Sequence, residues 1–300
     1  MQTISSCLWF DTQAEEAAKF YASVFKNAKV GRAAKYDEEG SKVSGQPAGS
    51  VMTVEFEIEG YHFTALNGGP IFKITPAISF FVHCKTAADV DEFWKKFSDG
   101  GTVRMELGEY PYSKRYGWIE DKFGVSWQLI VVDDRELPKI APCMLFVQQN
   151  FGKAQEALNE YLSVFPDSAV TMLNKAGPAE PYKNPDAVMY ASFTLCGQMF
   201  TIMDGPGKHA FTFTEGISFV VNCDTQKEID SYWQKLSAHP DNEQCGWLKD
   251  KFGVSWQIVP TAMGKMMSDT DPEKSKRVMK AMLQMKKLDI KKLQEAYDAS

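Results

Sequence analysis

Gln128 and Gln257 each close a copy of one twelve-residue phrase, Gly-Trp-x-x-Asp-Lys-Phe-Gly-Val-Ser-Trp-Gln, at residues 117–128 and 246–257, with ten of twelve positions identical. Period-two alternation puts Ser126 with Gln128, and Ser255 with Gln257, on one strand face, and turns Trp127 and Trp256 to the other. A carboxamide both donates and accepts, and leaving it unsatisfied under burial is costly. Each glutamine therefore needs a partner, either a ligand or a neighbouring strand. His83 adds a group that can move protons near neutral pH. It alternates with Ala77, Ser79 and Phe81, and its counterparts in the second copy are Asn222 for His83 and Ser218 for Ser79. Asn222 can hydrogen-bond but does no acid–base work near neutral pH. The bland alternative for His83 is a strand-end ring satisfied by backbone.

The elements that would carry these residues also come twice. Ser79–Phe97 reappears as Ser218–Leu236, and Ala14–Phe25 more loosely as Ala154–Phe165. A repeat of this length is a duplicated domain rather than a solenoid unit. In the first copy the pattern predicts a strand over residues 6–10, a helix over 14–25 capped by Asp11 and Thr12, and strands over 51–58 and 62–66. It then restarts with a strand over 78–84, a helix over 88–97 capped by Thr86, and strands over 102–107, 116–120 and 125–131. The offset between copies is 139 at Ser79/Ser218 and 129 at Gly117/Gly246, so the second copy lacks ten residues just before its motif. Within the corresponding first-copy segment, Ser98–Tyr116, the stretch Gly108–Tyr116 is rich in tyrosine, with lysine and arginine. It is expected to be a long loop that closes a cavity as a lid, with Tyr112 among its contacts, or that covers a seam between domains. Trp94, Trp118, Trp233 and Trp247 are expected in the core. Beyond Pro260, Asp271-Pro272-Glu273 and Asp289 each start a helix. The first carries an apolar stripe of Val278, Met279, Met282 and Met285, expected to pack on its own domain or on a partner subunit.

With 44% apolar residues, 300 residues allow two ordinary domains, and a net charge of −6 argues against nucleic acid as partner. No run of eighteen apolar residues suggests a membrane span, and the start of the chain reads as no signal peptide. The six cysteines form no C-x-x-C pair and read as reduced core residues. A soluble, cytoplasmic protein is expected.

The repeated motif, together with Leu8-Trp9-Phe10-Asp11, Phe63–Pro70 and Ile78-Ser79-Phe80, resembles the PhnB-like family of the vicinal-oxygen-chelate superfamily, which includes glyoxalases, bleomycin-resistance proteins and dioxygenases. The likeness extends over almost the whole chain, tail included. It implies an α+β fold of two tandem glyoxalase-like domains, residues 1–135 and 140–261, each of two βαβββ modules with a curved mixed sheet, followed by a helical tail over 265–300. It further implies a cavity lined by the concave sheet of each domain. Metal-using members of the superfamily place His, Glu or Gln on a module's first and last strands. Here those positions read as Ser6, Ala77 and Gln128 in the first copy, and roughly Phe146, Gly216 and Gln257 in the second. One neutral carboxamide per domain is no metal site.

The expected function is therefore that of a small-molecule-binding protein without metal or cofactor. Its ligand contacts are drawn from Ser6, Ser79, His83, Tyr112, Ser126, Gln128, Ser218, Asn222, Ser255 and Gln257, with no catalytic residue assigned. A glyoxalase-like isomerase or dioxygenase using a divalent metal is the alternative, and a partner-binding protein acting through the tail is a third reading. The ubiquinone-pathway methyltransferase label often attached to such proteins is disfavoured, because no strand runs into a G-x-G-x-x-G turn and helix. The chain is expected as a monomer, in effect a fused pseudo-dimer, or as a homodimer.

Overall fold

Four strand–helix–strand modules and a helical tail make up the chain, seen in a computed structural model that describes residues 4–133, 136–178 and 181–299. Residues 134 and 135, where the first domain was expected to end, lie outside the described residues. The first module comprises β1 (Ile4–Phe10), α1 (Ala14–Val24), β2 (Ala28–Lys35), α2 (Glu38–Ser44), β3 (Val51–Ile58) and β4 (Tyr61–Asn67). The second comprises β5 (Ile78–Cys84), α3 (Ala87–Phe97), β6 (Thr102–Tyr110), β7 (Ser113–Glu120) and β8 (Ser126–Val131). The third repeats the plan with β9 (Ile140–Phe146), α4 (Ala154–Val164), β10 (Ala169–Lys175), β11 (Val188–Leu195) and β12 (Gln198–Asp204). The fourth has β13 (Ile217–Cys223), α5 (Gln226–Leu236), β14 (Trp247–Lys249) and β15 (Ser255–Pro260), and the tail folds as α6 (Thr261–Met266), α7 (Pro272–Leu283) and α8 (Ile290–Asp298).

The expected helices and strands form, with local differences. Thr86 caps α3 in a reciprocal box with Asp89. Asp11 and Thr12 do not cap α1. Asn67, at the end of β4, accepts the Ala14 N–H at 2.8 Å, and Asp204, at the end of β12, accepts the Ala154 N–H that opens α4 at 3.3 Å and the preceding Gly152 N–H at 2.7 Å. A side chain from a parallel neighbour strand thus replaces the local cap. The segment expected as a lid is the β6–β7 hairpin, whose strands pair from Thr102↔Glu120 to Tyr110↔Ser113, so it extends a sheet edge.

The two curved mixed sheets do not follow the two sequence copies. One has the order β14-β15-β13-β1-β4-β3-β2 and the other β10-β11-β12-β9-β5-β8-β7-β6. Antiparallel pairing of β1 with β13, Cys7 opposite Ser218, joins modules one and four. Pairing of β5 with β9, Ser79 opposite Cys143, joins modules two and three. The expectation of one concave sheet per domain is corrected accordingly: each concave face is shared between the copies, because an edge left by one copy's first strand is satisfied only by the other copy.

The aromatic packing around the two buried tryptophans, in contrast, groups by copy within one continuous apolar core. In the first copy Phe97 stacks on Trp127 with centroids 5.0 Å apart and Tyr21 lies 5.5 Å away. In the second, Phe165 and Tyr161 pack on Trp256 at 5.2 and 5.5 Å. Beneath each tryptophan sits the aspartate of the repeated motif. Asp121 accepts from Tyr21 Oη and Trp127 Nε1, both at 2.8 Å, and from the N–H groups of Phe123 and Val125. Asp250 is wired identically to Tyr161, Trp256, Phe252 and Val254. The turn that makes this possible needs a positive φ at Gly124 (+85°) and Gly253 (+88°).

Burial raises the Asp121 and Asp250 carboxyls from 3.8 to about 6, against the four donors that pull the other way. Between those two values the folded chain keeps a proton that the unfolded chain has released, so this contribution to stability falls as pH rises and levels off above about 6. The span is worth about 3 kcal/mol per carboxyl. In denaturant titrations the advantage of the native chain over D121N is expected to shrink by about 2 kcal/mol between pH 4.5 and pH 7. An advantage that grows with pH would mean that the donors, not burial, dominate.

Candidate functional site

Strand alternation gives each sheet a face toward the helices and a concave face. On the sheet of modules two and three, the concave face is filled by its own side chains. Phe81, Tyr116, Ala141 and Cys143 are buried there, with Met105, Tyr190 and Met199 among those packed on them. Gln128 is 3% exposed, and both ends of its carboxamide are engaged: Nε2 donates to Ser79 Oγ at 2.9 Å and Oε1 accepts from Tyr116 Oη at 2.7 Å. Trp118 Nε1 donates to Ser126 Oγ at 2.6 Å. At the strand end His83 Nδ1 donates to the Pro138 carbonyl at 2.6 Å, with its ring stacked on Phe81.

The other concave face is open. By the repeat offsets Val220 stands where Phe81 does, Asn222 where His83 does, and Cys245 where Tyr116 does. These smaller side chains leave a cavity of about 810 Å³. Its floor includes Cys7, Thr64, Val220, Asn222 and Gln257, its far wall Arg32, Glu55, Glu57 and His62, and its roof Met263, Met267, Met279 and Met282 from the tail. Cross-strand pairs hold the wall, Lys29 with Glu57 at 3.0 Å and Arg32 with Glu55 at 3.2 Å. Burial pushes the Cys7 thiol up to about 11, so it sits in the floor as a neutral group.

The tail is held over this face by the segment between its helices. The N–H groups of Cys245 and Gly246 donate to the Met285 and Lys286 carbonyls, each at 2.8 Å, and Gln244 Nε2 donates to the Leu283 carbonyl at 2.9 Å. Leu288 and Leu293 are buried with Met266 and Val278 in a small core of the tail's own. This contact uses the space opened by the ten missing residues. Among the described residues the fourth module has no counterpart of β6, so the tail backbone lies beside β14 where a strand would pair. The tail, expected to pack on its own domain or on a partner subunit, makes these contacts with the second domain.

Comparison with known proteins bears on this architecture. The family model described as 3-demethylubiquinone-9 3-methyltransferase matches residues 2–130 and again 138–259. The chain belongs to that family. A PhnB protein from Bacillus cereus is 37% identical over 44% of this chain and 100% of its own, with a TM-score of 0.40. Glyoxalase I from Zea mays, 11% identical, aligns over 89% of this chain and 98% of its own with a TM-score of 0.56, a likeness of fold. A search of curated proteins returns no match. The chain is thus a tandem, two-domain PhnB-like protein, with a fold like that of glyoxalase I.

Within this PhnB-like frame the expected contact residues divide. Ser79, His83, Ser126 and Gln128 share the filled face, while Ser218, Asn222, Ser255 and Gln257 share the open one. Ser6 lies on neither. It points to the helix side, fully buried, with its hydroxyl 2.8 Å from Tyr61 Oη, and the concave residues of β1 are Ser5 and Cys7. The strand register makes Pro142, not Phe146, the counterpart of Ser6, because a four-residue insertion follows β9. Tyr112 sits at the hairpin tip, 58% exposed, against Tyr110 and Tyr116. Trp118 and Trp247 face the concave side instead of the core expected for them, while Trp94 and Trp233 pack against the core. The wall and roof residues were not foreseen. The Glu55/Glu57 alternation marks their face but does not say that a tail would roof it.

A divalent metal needs several N or O donors converging on one point. Among the described residues no three His, Cys, Asp or Glu side chains do so. Glu57 and His62, 3.3 Å apart, come nearest, but Lys29 already occupies the same carboxylate oxygen. The donor set does not fit such an ion.

Tyr116→Phe is expected to lower the unfolding free energy by about 1 kcal/mol, the worth of one buried hydrogen bond. Urea titration measures it. No loss would mean that Gln128 finds another donor on the filled face.

Proposed function

We propose that this protein binds one organic small molecule in the cavity between the first and fourth modules, beneath the C-terminal helices, without a metal ion. The observation that carries this reading is the difference between the two concave faces. The same motif on the same fold is closed by Phe81, Tyr116 and their neighbours in one sheet and left open over Val220, Asn222 and Cys245 in the other. A volume of about 810 Å³ lies in the range typical of small-molecule sites, roughly 300–1,000 Å³. A roof of methionines suits a ligand of irregular shape, since unbranched thioether side chains repack at little cost. Of the two cavities expected, one per domain and no longer equivalent, this reading assigns the ligand to one.

Two other activities have less support. Isomerisation or oxygenation of the metal-dependent, glyoxalase-like kind calls for a donor set that these faces do not supply. Methyl transfer, the activity in the family's description, calls for a nucleotide-like donor held at a Gly-rich turn leading into a helix. The nearest such turn, Gly205-Pro206-Gly207 after β12, is followed by no helix. Asn222 and Gln257 bind without exchanging protons, which favours a binding role over acid–base catalysis.

Native mass spectrometry of the untagged chain tests the reading. One organic adduct per chain is expected. The adduct should be lost when the chain is ended after Pro260, because the roof goes with it. Two equivalent adducts, or stoichiometric metal retained through chelation, would overturn it.

A further inference from the structure

The motif's polar side chains are the same on both concave faces but are wired differently. On the filled face the Trp118 indole N–H is spent on Ser126 Oγ, and Gln128 Oε1 is satisfied by Tyr116 Oη. On the open face one of these bonds has an equivalent, Gln257 Nε2 donating to Ser218 Oγ at 2.9 Å as Gln128 does to Ser79. Cys245 replaces Tyr116, so no phenol hydroxyl reaches Gln257 Oε1. The Trp247 ring leans edge-on against Trp9, centroids 6.0 Å apart, and does not donate to Ser255. Ser255 is 1% exposed, and its Oγ has no hydrogen-bond partner among the described residues. A buried hydroxyl in that condition is costly, and its copy-one equivalent shows which bond the site is built to make.

We propose that Trp247 Nε1 and Gln257 Oε1, which line the cavity, and Ser255 Oγ, buried directly behind them on the same strand face, form its polar anchor, for a neutral group that donates one hydrogen bond and accepts another, an amide or a hydroxyl, on an apolar body. This deepens the cavity reading and rests on it. The acceptor of the ligand takes the indole N–H that Ser126 takes on the other face. Its donor takes the place of the Tyr116 hydroxyl at the glutamine, and Ser255 can serve either. A neutral head follows from the charges at hand. Lys249, the register neighbour of Ser255 on β14, is held by Glu215 at 2.7 Å, and the Cys7 thiol opposite Ser218 is uncharged. The body lies toward Val220, Val259 and the roof methionines Met279 and Met282.

Isothermal titration of the full, adduct-free chain with octanamide and with methyl octanoate tests the anchor, since the ester accepts but cannot donate. The amide is expected to bind about tenfold more tightly, the worth of one buried hydrogen bond. Ser255→Ala and Trp247→Phe should each cut amide affinity by about tenfold. Ser255→Ala should at the same time raise the melting temperature of the unliganded chain, because it removes the unpartnered hydroxyl. Tyr116→Phe, on the other face, should leave the amide affinity unchanged. Equal affinity for amide and ester, or an amide affinity that neither Ser255→Ala nor Trp247→Phe lowers, would overturn the anchor while leaving the cavity reading intact. Failure of both probes to bind would count against the cavity reading and the anchor together.

Discussion

Two buried carboxylates hold this molecule together. Asp121 and Asp250 each collect four hydrogen bonds, from a tyrosine on the first helix of their copy, from a tryptophan on its last strand, and from two backbone amides of their own turn. Tyr21 belongs to a module of one sheet and Trp127 to a module of the other, so each aspartate pins the two sheets across the core. Aromatic stacking around Trp127 and Trp256 supplies apolar burial, which is large but undirected. The carboxylates supply direction. Removing one partner from such a site leaves other buried donors unanswered, and it is this asymmetry that makes the pair rigid.

With the copies fixed in this way, the sheets have to be completed across them. Each copy offers the edges of β1 and β5, or of β9 and β13, and neither can pair them internally while its helices share a core. The result is a duplicated chain in which aromatic packing and sheet pairing follow different partitions. One consequence is functional. A change in the second copy alters one concave face alone, since only one of its modules contributes to that face, and the two faces are free to diverge.

That divergence has a visible course. The second copy is ten residues shorter before its motif, and among the described residues its fourth module has no counterpart of β6, which leaves one flank of its sheet unpaired by a strand. The tail occupies that flank by backbone hydrogen bonds to Cys245 and Gly246 and carries its methionines over the open face. On the opposite face the retained hairpin brings Tyr110 and Tyr116 inward to close it. One stretch of sequence, present or absent, thus separates a packed face from a cavity.

Much of this was legible in the chain. Duplication, strand alternation and the caps at Thr86, Asp271 and Asp289 rest on interactions between residues close in sequence, and they stand as expected. So does the opposition of Trp127 and Gln128 on one strand, because the pleat admits no other arrangement. The cap of α1 was misplaced because Asn67 reaches it from more than fifty positions away. Ser6 was misassigned because one step of register turns a side chain to the other face. The exchange of sheet partners, the roofing of one face by the tail and the unpaired Ser255 hydroxyl came only with the tertiary structure. Each depends on which segments meet in space, and pairwise spacing along a chain carries no information about that.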